Sequence, residues 1–306
     1  MNRINIMVVF TLKFKLTPIS LKYMPILPVL AFILAFAIFP LAYAIILSLQ
    51  NLVLIRPGET TFVGLRNYVY ALTEPRFLMA LVRTFYYSFL SVTGSFLLGL
   101  ALALLMHREI KGKSIFKILL IIPMVVTPAV VGYTFKFMMD TSIGIINHII
   151  SYCGLPRISF LGDPVLAIHS IALVDIWQGT PLVLLILLAG LESLPKEPFE
   201  AALIDGARGL RLHLNITLPL LKPLMLFVVL IRAMDTFRAF DLIYTMTAGG
   251  PGTSTEVLGF YIWRMGLSYF RISEAAAMAI IMFLIIQFFS FTFIKTIQKA
   301  RGGAIA

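Results

Sequence analysis

Residues able to make or break bonds are few in this chain, and they are scattered. His107, His148, His169 and His213 show no metal-ligand spacing. The single Cys153 excludes an intramolecular disulfide and any multi-cysteine metal site. His169 and Asp175 share one apolar run, but a separation of six residues puts them on different faces of a helix. Gly112-Lys113-Ser114 ends like a phosphate-binding loop, yet the glycine required five positions earlier is His107. Gly249-Gly250-Pro251-Gly252-Thr253-Ser254-Thr255 is glycine-rich and has no Lys. Neither catalysis, nor a metal, nor an ATP site is expected of this chain.

The remaining polar residues of interest lie inside apolar stretches, where a charge costs at least about 2.5 kcal/mol and so needs a reason. Asp175 stands beside Trp177, Gln178 and Thr180. Polar groups next to an aromatic face suit sugar hydroxyls and ring C–H groups; they equally suit hydrogen bonds between helices. Arg232, Asp235, Arg238 and Asp241 recur every three residues with alternating sign. That spacing reads as a ladder of ion pairs along one helix, with a wall of a solute path, joined by the nearby Tyr244, as the functional alternative. Pro123 and Pro128 fall within a single apolar run and predict a kink there. Backbone groups freed by a kink are tolerated where they face protein or a water-filled cavity.

These residues sit on elements built for a bilayer. Of 306 residues, 60% are hydrophobic and 13% charged, a balance that no soluble fold buries. Six runs are long enough to span: 24–49, 84–106, 116–139, 165–190, 222–245 and 273–296. The predicted fold is therefore all-α, a polytopic membrane protein of about six helices with lipid as its solvent. The first run is longer than a leader's apolar core and continues past Ala42-Tyr43-Ala44, so it reads as a span. Residues 143–155 carry Ile145, Ile146, Ile149 and Ile150 at helical spacing, which predicts a short helix packed over the bundle at the interface.

The net charge of +11 is a topology signal and not a nucleic-acid footprint. Basic residues concentrate on alternate connections, such as Arg3, Lys13, Lys15 and Lys22, then Arg108, Lys111, Lys113 and Lys117, then Lys196, Arg208, Arg211 and Lys222. Both termini are accordingly expected in the cytoplasm. Residues 1–23 form a cytoplasmic segment, 24–296 the membrane domain, and 297–306 a cytoplasmic tail.

One cytoplasmic connection, about 191–221, is unlike the others. Pro195 and Pro198 suit the first turn of a helix. Phe199, Ala202, Leu203 and Gly206 then fall on one face, and Gly206 can end the helix. Pro219 and Pro223 mark the start of the next span. A short helix with an apolar, small-residue face suits docking into a cleft on another protein.

Glu200-Ala201-Ala202, three residues, Gly206, nine residues, Ile216, one residue, Leu218-Pro219 resembles the EAA loop of bacterial and archaeal ABC-importer permeases at each defined position. Asp205-Gly206-Ala207, and the stretch from Phe240 to Pro251 followed by Ser254-Thr255, are similar to the carbohydrate-uptake branch, that of the maltose and glycerol-phosphate permeases. The resemblance implies a type I importer permease in a cell membrane, with the loop helix seated in a groove of an ATP-binding subunit. Glu200 and Asp205 would make polar contacts there, while Ala201, Ala202 and Gly206 permit close approach. It further implies a second, homologous permease, two ATP-binding subunits holding the ATP and Mg, and an external solute-binding protein. The solute would be an oligosaccharide, a disaccharide or glycerol phosphate. An ion-coupled secondary transporter is the alternative; such carriers commonly show internal repeats, which this sequence lacks, and they have no use for a dockable loop helix.

Overall fold

The computed structural model describes residues 26–302 apart from 57, 59, 109 and 110. The expected N-terminal segment 1–23 and the end of the tail lie outside the described residues. The chain divides at Ile46 and Leu47 into two compact units. The first contributes most of α1, Leu27–Ser48, which is helical throughout with a π turn at Leu34–Ile38. At 1.5 Å per residue it is about 33 Å long, enough to cross the hydrocarbon core. Its side chains from Leu27 to Ile38 are exposed, as an apolar helix facing lipid requires.

The second unit holds α2 (Arg66–Thr73), α3 (Pro75–His107), α4 (Lys113–Val125), α5 (Pro128–Met138), α6 (Ile145–Tyr152) and α7 (Leu166–Glu192). It continues with α8 (Glu197–Ile204), α9 (Leu210–Phe237, with a π turn at His213–Thr217), α10 (Asp241–Met246), α11 (Leu258–Trp263) and α12 (Ile272–Gly302). Among the described residues, five helices are long and apolar enough to cross a membrane, or six if the bent pair α4–α5 counts as one span.

The centre of this unit is the pair α3 and α7. Ser91, Ser95, Gly99 and Ala103 recur every fourth residue on the buried face of α3. Small side chains at that spacing let two helix backbones approach, which is how apolar helices associate where lipid removes the hydrophobic drive. A Cβ on Gly99 would lie 2.6 Å from the Cβ of Val183, so the crossing depends on its absence. Leu184, Leu187, Leu188 and Leu191 of α7 complete this part of the core with Leu221 and Val228 of α9.

Two expected spans are broken. The third is not a kinked helix but two helices meeting at 96°. Pro123 stays within α4; the break falls just before Pro128, which starts α5. Pro Cδ disfavours helical geometry in the preceding residue, and both Val126 and Thr127 are extended, with ψ of 134° and 141°. The fifth span begins earlier than expected, at Leu210, and ends at Phe237; Asp241 opens a separate six-residue helix, α10. Because the apolar character runs on through Ala239 and Phe240, periodicity gives no sign of this stop. Likewise α3 starts at Pro75, nine residues before the expected span, because Arg76 and Arg83 find partners on the loop before α11.

The expected short helix at 143–155 forms as α6. Ile146 packs against the core, whereas Ile145 and Ile149 are exposed. Its anchor is the buried Asn147, whose amide donates to the carbonyls of Asp140 and Ile158 and accepts from the Ile158 N–H at 2.7 Å. Beside it, the Asp140 carboxylate accepts from the backbone N–H groups of Ser142 and Ile143. Those two bonds, the Ile143 one first, hold its carboxyl below the ordinary aspartate value.

Candidate functional site

Two places concentrate the residues singled out in the sequence. The first is α8 and the turn that follows it. Glu197 and Glu200 lie in the first turn, where a negative charge suits the exposed N–H groups of the helix. Pro198 occupies an early position where its missing N–H costs nothing. The end is a Schellman closure: Gly206 N–H donates to the Leu203 carbonyl at 3.1 Å, and Ala207 N–H to the Ala202 carbonyl at 2.9 Å. Gly206 sits at φ +80°, and a Cβ there would meet nothing within 4 Å. Glycine is required by backbone conformation at this point and not by crowding within the chain.

The face that α8 presents differs from the expected one. Ala202 is buried and Phe199 half-buried, and α8 contacts the chain's own turn at His213–Thr217. Leu203 is 50% exposed and Ile204 87% exposed, alongside exposed Glu200, Ala201, Asp205 and Gly206. Two large apolar side chains thus stand outward among polar neighbours. Ile216 is half-buried in the π turn, and Leu218 and Pro219 open the straight part of α9, with Leu218 half-buried and Pro219 exposed.

The second place is a cavity of ≈ 490 Å³ between α3, the α4–α5 break, α7, and the α9–α10 break. It brings together Asp175, Gln178, Arg232, Asp235, Arg238 and Asp241 from the sequence reading, and adds Tyr87. The charged series on α9 is not a ladder along one helix. Arg232 reaches across to α7 and donates from Nη2 to Asp175 Oδ2 at 2.6 Å and from Nε to Ser95 Oγ at 3.2 Å. Gly179 makes room for it: a Cβ there would run into the guanidinium. Arg238 lies near Asp235 at 3.4 Å, the one pair of the expected kind, and both are largely exposed. Asp241 belongs to α10. Gln178 Nε2 donates to the Val126 carbonyl at 2.9 Å, so it satisfies a backbone group that the α4–α5 break releases.

Trp177 and Tyr244 do not line this cavity. Trp177 follows Asp175 by two residues, about 200° around the helix, and packs edge-on against Phe135 with centroids 5.2 Å apart. Tyr244 joins an aromatic cluster with Phe240, Phe260 and Trp263, at 5.4, 6.3 and 5.1 Å. Tyr87 was legible only as one more aromatic residue in an apolar run; its place in the cavity is a product of the α3–α7 crossing.

Residues 95–301, which include α8 and the whole cavity lining except Tyr87, match the family model described as binding-protein-dependent transport system inner membrane component. The chain is 36% identical over 288 residues to the trehalose/maltose transport system permease protein MalF of Thermococcus litoralis, covering 93% of this chain and 96% of that one. It is 32% identical to the trehalose transport system permease protein SugA of Mycobacterium tuberculosis, covering 92% and 90%. In fold it is similar to a chain of a bacterial alginate ABC transporter crystallised with an alginate pentasaccharide-bound periplasmic protein. That match has a TM-score of 0.76 at 24% identity, covering 88% of this chain and 92% of that one. With five to six apolar spans, the α8 loop and this likeness along nearly its whole length, the chain belongs to the binding-protein-dependent transport system inner membrane components, as a permease subunit of an ABC importer.

Proposed function

We propose that this chain passes a sugar or related solute into the cell, driven by ATP hydrolysis on a partner subunit docked on α8. The solute is an oligosaccharide, a disaccharide or glycerol phosphate, and it moves through the cavity at the two helix breaks. One observation carries the reading: α8 is a closed helix that leaves Leu203, Ile204 and Glu200 exposed. An outward apolar pair on a short helix between two spans fits a groove on another protein. Closure of the ATP-binding subunits around ATP would move α8, and with it the start of α9, whose far end carries Arg232 and Asp235 into the cavity wall.

The working unit then holds a second, homologous permease, two ATP-binding subunits and an external solute-binding protein, with ATP and Mg on the ATPases. Both termini and α8 face the cytoplasm. The chain itself performs no bond chemistry.

The test is purification from the native host in mild detergent, beside a Glu200→Lys, Ile204→Asp variant. An ATPase that accompanies the native chain and is lost from an intact, membrane-inserted variant supports the docking role. An ATPase equally bound to both rules it out.

A further inference from the structure

We infer that the groove between α3 and α9 seats an anionic phospholipid of the leaflet on the α8 side, with Lys222 pairing with its phosphate headgroup.

The shape of the groove comes first. One part, ≈ 500 Å³, lies between Phe96 of α3 and Leu214, Leu218, Lys222, Met225 and Val229 of α9. Val229 also borders a second depression of ≈ 320 Å³, where Val92 and Thr93 of α3 lie opposite Ala233 of α9 and Phe289 of α12. The two adjoin at Val229 and make one apolar trough. From Lys222 to Ala233 this trough follows α9 for about 16 Å, at 1.5 Å per residue. That is about half of a hydrocarbon core of about 30 Å, which is the depth of one leaflet. The trough therefore matches the reach of lipid chains whose headgroup sits at Lys222.

Charge selects the occupant. Lys222 is exposed, and it makes no ion pair among the described residues. No carboxylate lines either depression. Arg211, exposed three residues before Leu214, adds positive charge on the approach from the α8 side. A protein helix laid in the trough would enclose the Lys222 ammonium among apolar side chains, where an uncompensated charge is costly. A lipid places its charge and its chains where the groove needs each: the phosphate beside the ammonium at the membrane boundary, the chains along the apolar walls.

Purified with whatever partners accompany it, the protein is stripped of native lipid in detergent and titrated with phosphatidylglycerol or phosphatidylcholine, and native mass spectrometry counts the lipids retained. The native chain is compared with Lys222→Gln, with Met225→Trp, which fills the trough, and with Lys111→Gln, which removes an exposed cation from another connection. Phosphatidylglycerol is expected to be held roughly fivefold more tightly than phosphatidylcholine, the worth of one lysine beside an anionic headgroup. Lys222→Gln should abolish that preference, Met225→Trp should lower retention of both lipids, and Lys111→Gln should change neither. A preference that survives Lys222→Gln or falls equally in Lys111→Gln overturns the inference, as does phosphatidylglycerol displaced by inorganic phosphate alone. Lipid retention untouched by Met225→Trp also overturns it; if the complex splits in that variant, the groove holds a partner's helix instead. None of these readings involves transport, so the lipid site and the import function can fail independently.

Discussion

Glu256 and Arg76 lie 180 residues apart and meet in a two-bonded fork, Nε to Oε2 at 2.6 Å and Nη2 to Oε1 at 3.1 Å. Arg264 closes on the same carboxylate at 2.7 Å and donates its other nitrogen to the Ala248 carbonyl. The side chain of Glu256 has no exposed surface. One acid thus ties the start of α3 to the end of α11 and, through the Arg264 bond to Ala248, to the turn that follows α10; Arg264 also lies over the Phe260 ring at 4.6 Å.

Removing that acid leaves two guanidinium groups facing each other with nothing between. Glu256→Ala is expected to cost about 3 kcal/mol, the lower end for breaking a buried pair, because Arg76 retains some access to water. Glu256→Gln, which keeps the shape and one acceptor, should cost less. Thermal unfolding of the detergent-purified chain measures both, and equal midpoints for the native and Ala forms would contradict the role.

The Arg232–Asp175 pair makes a different prediction, because both partners are mostly buried, at 6% and 16% side-chain exposure. Asp175→Asn leaves a buried guanidinium uncompensated and should destabilise by about 3 kcal/mol. Adding Arg232→Met removes the stranded charge and should recover most of that loss. Solute uptake should stay impaired in the double variant, since both side chains face the cavity. A double variant no more stable than the single one would show that the pair does not act as a unit.

At Gly206, φ of +80° makes any side chain strained although space is open. Gly206→Ala should cost about 1–2 kcal/mol locally, and Gly206→Asn less, since Asn tolerates this conformation. Hydrogen exchange reads the effect directly: the amides of Gly206 and Ala207, which close the helix, should exchange faster while those of α7 remain unchanged. Unaltered protection at both amides would argue against the Schellman closure.

Asp140 gives the pH dependence. Its carboxyl is held low by the N–H groups of Ile143 and Ser142. A depressed folded value means that its stabilisation is present above the unfolded aspartate value and is lost as pH falls through the folded one. Asp140→Asn should therefore lower stability at neutral pH and flatten the acid limb of the stability curve. Parallel curves for the two forms below pH 5 would speak against it.

Much of this architecture was legible in the residues. Four of the six apolar runs form continuous helices, and Pro198 and Gly206 bound a short helix as their residue types dictate. What the sequence concealed were the partners. Arg232 looked like a member of a helical ladder because Asp235 lies three residues away; its true partner, Asp175, is on another helix, admitted by the bare Gly179. The stop at Phe237 follows no Gly or Pro, so nothing local announces that Asp241 starts a new element. Pro128 did announce a bend, but its size depends on two successive extended residues and on Gln178 catching the Val126 carbonyl. Glu256 was not singled out in the sequence, because its partners are arginines on two other elements.

The central claim, that α8 couples ATP hydrolysis elsewhere to solute movement through this chain, is tested most directly by uptake in sealed proteoliposomes carrying the purified complex. Labelled neutral disaccharide is presented with its binding protein outside and ATP or a non-hydrolysable analogue inside, with and without an imposed ion gradient. Accumulation that requires hydrolysable ATP, ignores the gradient and disappears with Glu200→Lys, Ile204→Asp is the predicted result. Accumulation that follows the gradient and survives without ATP hydrolysis would contradict it.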